Sequence, residues 1–351
     1  MSDVYQGLAR HLDRLPGGFP ATQSGVELRI LRRLFTPEEA EAAQGLQLSP
    51  EPAETIAARL NRPAAELAPL LMTMSRKGLI FRQTKAGRPT YMAAQFVVGI
   101  WEYHVNDLDP ELIRDVNEYL PQLSRQWAQL KTKPLRVIPI ARSLSADARI
   151  MPYEQAEALI RQQSKIVVAP CICRKEHRIM GEGCDYPLEA CLCFGSGAYY
   201  YEENGLGRAV SQEEALEILE RGVQAGLVLQ PGNAKRSSNI CMCCGCCCQV
   251  LKNIKQLPKP AEAVNSSFHA VVDDQACVAC GACEARCHMD AITVEETARI
   301  DLDRCIGCGA CVPACDVAAL ALKAKPEHER WTPPDTLFHT YLNIAKERGL
   351  I

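Results

Sequence analysis

Two cysteine runs near the end of the chain have a spacing suited to redox chemistry. The first places thiols at Cys277, Cys280, Cys283 and Cys287, and the second at Cys305, Cys308, Cys311 and Cys315. Each run reads C-x2-C-x2-C-x3-C, the spacing with which thiolates wrap a [4Fe–4S] cubane. Gly281, Gly307 and Gly309 let the backbone pass close to inorganic sulfide. The sequence therefore predicts two [4Fe–4S] clusters.

Residues 268–325 resemble the bacterial dicluster ferredoxins, in both runs and in a short hairpin between them, at 290–294 and 298–301. In that family the fourth cysteine of each run ligates the other cluster. The resemblance thus implies one cluster on Cys277, Cys280, Cys283 and Cys315, and a second on Cys305, Cys308, Cys311 and Cys287. A pair of structural zinc sites is the alternative, but zinc does not need a crossed pattern.

The chain departs from that family after the fourth cysteine of each run. Where the family usually has proline, this sequence has His288 and Asp316. Either both polar side chains hydrogen-bond near a cluster and tune its potential, or proline only shapes the turn and its loss is tolerated.

A second group of cysteines lies in the middle of the chain and predicts at least one further iron–sulfur cluster. Its leading candidate ligands are Cys171, Cys173, Cys184 and Cys191, joined by some of Cys241, Cys243, Cys244, Cys246, Cys247 and Cys248, with Cys193 as an eleventh thiol nearby. Adjacent cysteines point in different directions, which suits two metal centres or an irregular cluster. A zinc site with spare structural thiols is the alternative, although one zinc takes only four ligands.

Polar and aromatic residues accompany these thiols. Arg174, Lys175, His177 and Arg178 either lower thiol pKa values and offset the charge of a cluster, or form a solvated helix end. The three tyrosines at 199–201 either line a substrate pocket or pack as aromatic residues of a strand.

Composition sets the class of protein. The chain has 351 residues, 19 cysteines and a formal charge of −3, so gross charge names no partner. The cysteines are too closely spaced for a disulfide framework, and this favours metal-bound thiolates in a reducing compartment. The first residues do not resemble a signal peptide, and no stretch has the length of a spanning helix. We expect a soluble, cytoplasmic protein from an anaerobic or low-oxygen setting.

The pattern of elements predicts an α+β multidomain chain. The expected parts are a winged-helix-like domain (1–95), a linker helix (96–134), a Cys-rich α/β domain (135–255), the dicluster ferredoxin domain (268–325) and a helical tail (326–351). In the α/β domain, strands are predicted at 135–140, 165–169 and 227–229, with cysteines at their carboxyl ends, where such domains place their sites.

The first domain resembles a winged helix, in which four helices precede a strand–turn–strand at 79–92. Between residues 62 and 88 the sequence has six basic residues and one acidic residue, a local charge that could bind DNA phosphates and that we call the phosphate footprint. The fourth helix offers few side chains that read bases, and winged helices also dock proteins.

We therefore expect a multi-cluster electron-transfer protein, a component of an anaerobic oxidoreductase system. The ferredoxin module would relay single electrons to or from the middle-domain cluster. Acids outnumber bases over 273–325, so the redox partner would present a basic docking face. The alternative is a redox-sensing transcriptional regulator that binds DNA through its winged helix. The sequence names neither a substrate nor catalytic residues, and it leaves open whether the protein is a dimer.

Overall fold

A computed structural model describes residues 3–145 and 150–351. The N-terminal unit has five helices followed by a hairpin: α1 (Val4–Asp13), α2 (Val26–Leu34), α3 (Pro37–Ala43), α4 (Ala53–Leu60), α5 (Ala64–Arg76), β1 (Phe81–Lys85) and β2 (Arg88–Met92). Helix α3 begins with a capping box, in which the side chains of Thr36 and Glu39 each accept the other's backbone N–H. The strand–turn–strand is present as predicted, while the winged-helix assignment stays a prediction.

The predicted continuous linker helix over 96–134 is wrong. Residues Phe96–Ile100 contain non-helical backbone at Val97, Val98 and Gly99 and lead into the short α6 (Trp101–Tyr103), and a separate helix, α7 (Pro110–Gln129), follows. Helix α7 begins where it does because the Asp109 carboxylate accepts the free N–H groups of the first turn and Pro110 occupies the first helical position.

The middle unit is built on a sheet with helices on both sides. Its elements are α8 (Ala156–Arg161), β3 (Ile166–Pro170), α9 (Ile172–Ile179), β4 (Glu189–Phe194), α10 (Gly195–Glu203), β5 (Arg208–Val210), α11 (Gln212–Gln224), β6 (Val228–Pro231), β7 (Asn239–Cys243) and α12 (Gln249–Ile254). The strand order is β5-β3-β4-β7-β6, and every neighbouring pair is antiparallel.

The predicted α/β domain is therefore wrong, since an α/β domain has a largely parallel sheet. Strands β4 and β7 are rich in cysteine, and the sequence analysis placed no strands there. The predicted strand at 135–140 makes only isolated bridges, because Pro134 and Pro139 lack the N–H that a ladder needs. The site accordingly lies on a face of the sheet, not at a row of carboxyl ends.

The dicluster segment contains β8 (Phe268–Val272), α13 (Ala282–Arg286), β9 (Ile292–Val294), β10 (Ala298–Ile300) and β11 (Leu320–Ala324). Strand β8 pairs with β11, and β9 with β10, both antiparallel, so the predicted hairpin is confirmed. The last helix is α14 (Leu337–Glu347). After it, Arg348 donates to the carbonyl of Leu15 and pairs with Asp13, which ties the end of the chain to the N-terminal unit.

The N-terminal unit packs directly on the middle unit. The ring of Tyr200 stacks on Phe81 at 4.9 Å, and its hydroxyl donates to the carbonyls of Ser75 and Ile80. One apolar core runs through both units and includes Leu71, Trp101 and Cys193. Within the described ranges, no helix is both long enough and apolar enough to cross a membrane.

Candidate iron–sulfur sites

The dicluster segment folds its first three cysteines around the last one. Cys277, Cys280, Cys283 and Cys315 line one open cavity together with apolar neighbours. Cys280 is exposed, and Val278 and Val317 beside it are 63% and 42% exposed. We call these four residues the outer set. Their cavity opens toward solvent and suits electron exchange with a partner.

The other four dicluster cysteines lie deeper. Burial, together with the neighbouring Cys305 and Cys287 thiolates, raises the pKa of Cys308 to about 12. Burial also raises the pKa of Cys311, whose thiolate neighbours are Cys308, Cys305 and Cys287. We call Cys287, Cys305, Cys308 and Cys311 the inner set. A metal cluster fits such a site because it replaces the protons that these buried thiols otherwise retain.

Backbone N–H groups point at one pair of sulfurs in each set. Ala298 and Ala319 donate to Cys277 and Cys315 at 3.4 and 3.3 Å. In the inner set, Ala270 and Ala291 donate to Cys305 and Cys287 at the same two distances. Such N–H···S contacts stabilise thiolate charge and tune the potential of an iron–sulfur cluster.

The two halves of the segment repeat every 28 residues, from Cys277 to Cys305 and from Cys287 to Cys315. The backbone repeats with them: Asp290 and Ala318 have φ of 51° and 52°, and Gly281 and Gly309 both have φ of 78°. His288 and Asp316, which stand in place of the family's prolines, are equivalent positions of this repeat.

His288 contacts the middle unit, whereas Asp316 is exposed. The Gly245 N–H donates to Nδ1 of His288 at 3.2 Å, and Nε2 donates to the Gly226 carbonyl at 2.8 Å. Burial lowers the pKa of His288. The sequence analysis left its role open between tuning and tolerance; in the structure, the imidazole joins the dicluster segment to the sheet.

In the middle unit, cysteines cover one face of the sheet. Cys191 and Cys193 alternate along β4 and therefore share a face, and Cys191 stands opposite Cys241 of β7. Leu192 and Ile240 point to the other face, into an apolar core with α8 and α11. The cysteine face turns toward the N-terminal unit.

Seven cysteines at this face lie next to one another. Cys173 lies beside Cys171 and Cys248. Cys243 lies between Cys248 and Cys241. Cys241 lies beside Cys191, whose sulfur is 3.8 Å from that of Cys193. We call these residues the ring cysteines: Cys171, Cys173, Cys191, Cys193, Cys241, Cys243 and Cys248.

The remaining four middle-unit cysteines form a separate, compact group. The sulfurs of Cys184, Cys244, Cys246 and Cys247 all lie within 4.8 Å of one another. We call them the corner cysteines. Two pairs of adjacent cysteines are divided between the groups. Cys243 belongs to the ring and Cys244 to the corner, while Cys247 belongs to the corner and Cys248 to the ring. The structure therefore separates Cys184 from Cys171, Cys173 and Cys191, with which the sequence analysis grouped it.

Arg174 lies between the ring and corner cysteines. It is fully buried, its guanidinium donates to the carbonyls of Pro187 and Met242, and its Nε has no partner among the described residues. Burial opposes its charge, yet the thiolates of Cys171 and Cys244 raise its pKa above the usual value. A buried cation needs an anionic partner, and a thiolate-bound metal centre fits that need.

The other predicted accessory residues have different surroundings. Arg178 is exposed and donates to the Cys184 carbonyl, and Lys175 donates to Asn106. His177 pairs with the buried Glu176, a contact that raises the pKa of His177. Tyr200 and Tyr201 are core residues, whereas Tyr199 is 53% exposed.

Sequence reasoning missed several polar groups beside the ring cysteines. The side-chain amides of Asn239 and Gln230 donate to the sulfurs of Cys241 and Cys248 at 3.5 and 3.8 Å. Glu102 lies near Cys241, and burial raises the pKa of its carboxyl to about 8. Asn239 lies two residues before Cys241 on β7 and shares its face, so recognising that strand would have found it. Glu102 lies 139 residues away, with no local signal.

Half of the six basic residues of the predicted phosphate footprint already have acidic partners. Lys77 pairs with Glu39 and Arg62 with Glu38. Arg82 is buried against Ser75 and pairs with Glu203 of α10.

Comparison with known proteins agrees with the dicluster geometry. Residues 276–319 match a family model described as a 4Fe-4S dicluster domain. No curated protein and no solved structure matches the chain. The match spans both cysteine runs and the hairpin between them. Residues 276–319 are a 4Fe-4S dicluster domain, which supports iron–sulfur binding by this segment.

Proposed function

We propose that the protein transfers electrons between a partner and an iron–sulfur cluster on the ring cysteines, through the dicluster domain. The donor chemistry of the ring supports a cluster there: seven thiols, a set selective for iron–sulfur and other soft centres. Seven exceed the four ligands of one cubane, which favours a larger or irregular cluster.

One observation carries the connection to the dicluster domain. Cys243 and Cys248 of the ring lie in the same apolar core as Met289, Ala291 and Ile306 of the dicluster domain. Inner-set cysteines pack against that core from the other side. A dry, close-packed contact of this kind suits electron transfer because little solvent reorganises around it.

The outer set supplies the other end of the path. Its opening is flanked by the exposed Val278 and Val317, and Asp273, Glu284 and Asp316 are exposed in the same domain. We infer a redox partner with a basic rim around an apolar centre. DNA binding by the N-terminal unit has less support, because half of its six predicted basic contacts already have acidic partners.

Metal analysis tests the ring cluster. We expect clearly more than the roughly eight iron atoms of two cubanes in anaerobically purified protein, with matching acid-labile sulfide. Cys193→Ser and Cys248→Ser should each lower that excess and leave the two dicluster signals in the EPR spectrum. Roughly eight iron in the wild type would refute a cluster on the ring.

Electron delivery tests the path. Pulse radiolysis can generate the methyl viologen radical cation, which the acidic dicluster domain attracts. In Cys280→Ala we expect the ring cluster to be retained but its fast reduction to be lost. Leu302→Ser is the matched control, since Leu302 is exposed in the same domain and does not line the outer cavity. Wild-type reduction kinetics in Cys280→Ala would overturn the relay.

A further inference from the structure

We propose that the corner cysteines bind one tetrahedral metal ion, Zn²⁺ or iron, and not an iron–sulfur cubane. All four sulfurs lie within 4.8 Å of one another, and those of Cys184 and Cys247 are 3.5 Å apart. Around a single tetrahedral ion with metal–sulfur bonds of about 2.3 Å, the sulfurs lie roughly 3.8 Å apart. In a cubane each thiolate binds a different iron, so the sulfurs lie farther apart.

The dicluster domain provides an internal standard for this distance argument. Its two cysteine sets belong to a family that holds cubanes. Among the described residues, neither set contains three sulfurs within 4.8 Å of one another, and neither do the ring cysteines. The corner cysteines alone in this part of the chain have the spacing of a one-ion site.

Local sequence explains the compactness. Three of the four ligands lie within four residues, in the turn between β7 and α12, and Cys184 comes from the loop between α9 and β4. Gly245 within the turn has no room for a side chain, since a Cβ would lie 2.4 Å from the His288 carbonyl oxygen. The turn is therefore held tightly, with its sulfurs close together.

The charge of the surroundings fits such an ion. Four thiolates around a divalent ion carry a net charge of −2, and the buried Arg174 offsets part of it. The Arg174 guanidinium lies beside the sulfur of Cys244. Cys246 is exposed, so an ion can reach the site from solvent.

The position indicates a structural ion. It would join the loop of Cys184 to the turn whose Gly245 N–H holds His288. The ion would thereby fix the dicluster domain against the sheet. The contact between the inner set and the ring is a different one, through the apolar core that includes Cys243 and Cys248. This inference does not depend on the ring holding a cluster, and its test has a separate readout.

The test compares metal and sulfide losses. Against wild type, Cys184→Ser should lose about one metal ion per chain and no acid-labile sulfide. Cys277→Ser, the matched control in the outer set, should lose about four iron and four sulfide. Equal losses of iron and sulfide in Cys184→Ser, or no loss of metal, would overturn the proposal.

A measurement on the wild-type holoprotein avoids the risk that a variant misfolds. If the ion is zinc, X-ray absorption at the zinc edge should show four sulfurs at about 2.3 Å and no iron neighbour. If it is iron, the oxidised protein should show the high-spin ferric EPR signal of an isolated tetrathiolate site. Absence of both signals would refute a one-ion site.

Discussion

Substitution of Gly307 by alanine tests how closely the backbone must pass the inner set. Gly307 has φ of +68°, and a Cβ built there would lie 2.0 Å from the carbonyl oxygen of Phe268. Phe268 begins β8, the strand from which Ala270 donates to the Cys305 sulfur. A side chain at position 307 would therefore displace β8, whose Ala270 N–H contacts an inner-set sulfur.

The expected cost has two parts. A left-handed backbone costs a non-glycine residue about 1 kcal/mol. The repeat shows that this part is tolerable, because Ala279, the equivalent of Gly307 in the first half, has φ of 53°. Forcing the contact open adds a packing cost of about 2 kcal/mol, which gives about 3 kcal/mol for Gly307→Ala.

Gly281→Ala is the matched control. Gly281 has φ of +78° but no atom within 4 Å of a built Cβ, so only the backbone cost of about 1 kcal/mol applies. We expect Gly307→Ala to lose inner-set iron or to shift the inner couple to a more negative potential, because the Ala270 N–H moves away from Cys305. Iron content and an EPR-monitored redox titration measure both effects. Indistinguishable results for the two variants would refute the reasoning.

Three further predictions concern residues away from the inner cluster. Arg174→Met should weaken the retention of the corner metal against a chelator by roughly 100-fold, about 3 kcal/mol, and Arg174→Lys should have an intermediate effect. The iron content of the dicluster domain should not change. Equal retention of the corner metal in wild type and both variants would contradict the role of Arg174 as a counter-charge. Tyr200→Phe should lower the free energy of unfolding by about 1 kcal/mol, because it removes the one hydroxyl proton that the carbonyls of Ser75 and Ile80 share, whereas the exposed Tyr199→Phe should cost nothing measurable. Burial lowers the pKa of Lys133 from 10.5 to about 8 in the folded protein. Between those pH values the unfolded chain therefore binds more protons at Lys133 than the folded protein does, and the free energy of unfolding of the wild type should rise by about 3 kcal/mol. Thermal unfolding of Lys133→Met over the same window should lack that rise; an unchanged slope would contradict the assignment.

The dicluster domain could be predicted from sequence because its information is local. The cysteine spacing, the positive-φ positions and the hairpin between the runs all lie within one short segment. The contact of His288 with Gly245 could not be predicted, because it joins residues 43 positions apart and depends on how two units pack.

The middle sheet shows the opposite case. Strands β3 and β6 followed from the hydrophobic pattern. The antiparallel order could not follow, since β4 and β7 carry cysteines where strands usually carry branched apolar residues. The cysteines displaced the pattern by which these strands would have been recognised.

Adjacent cysteines at the end of β7 and the start of α12 belong to two different sites. Cys243 points from β7 into the ring, and Cys244, the next residue, turns to the corner group. Cys247 and Cys248 divide in the same way at the start of α12. Successive side chains on a strand point to opposite faces, so a cysteine pair at a strand end can serve two sites on either side of one backbone. The two sites thus share a rigid segment, and an ion at the corner would hold the ring ligands in place without joining the electron path.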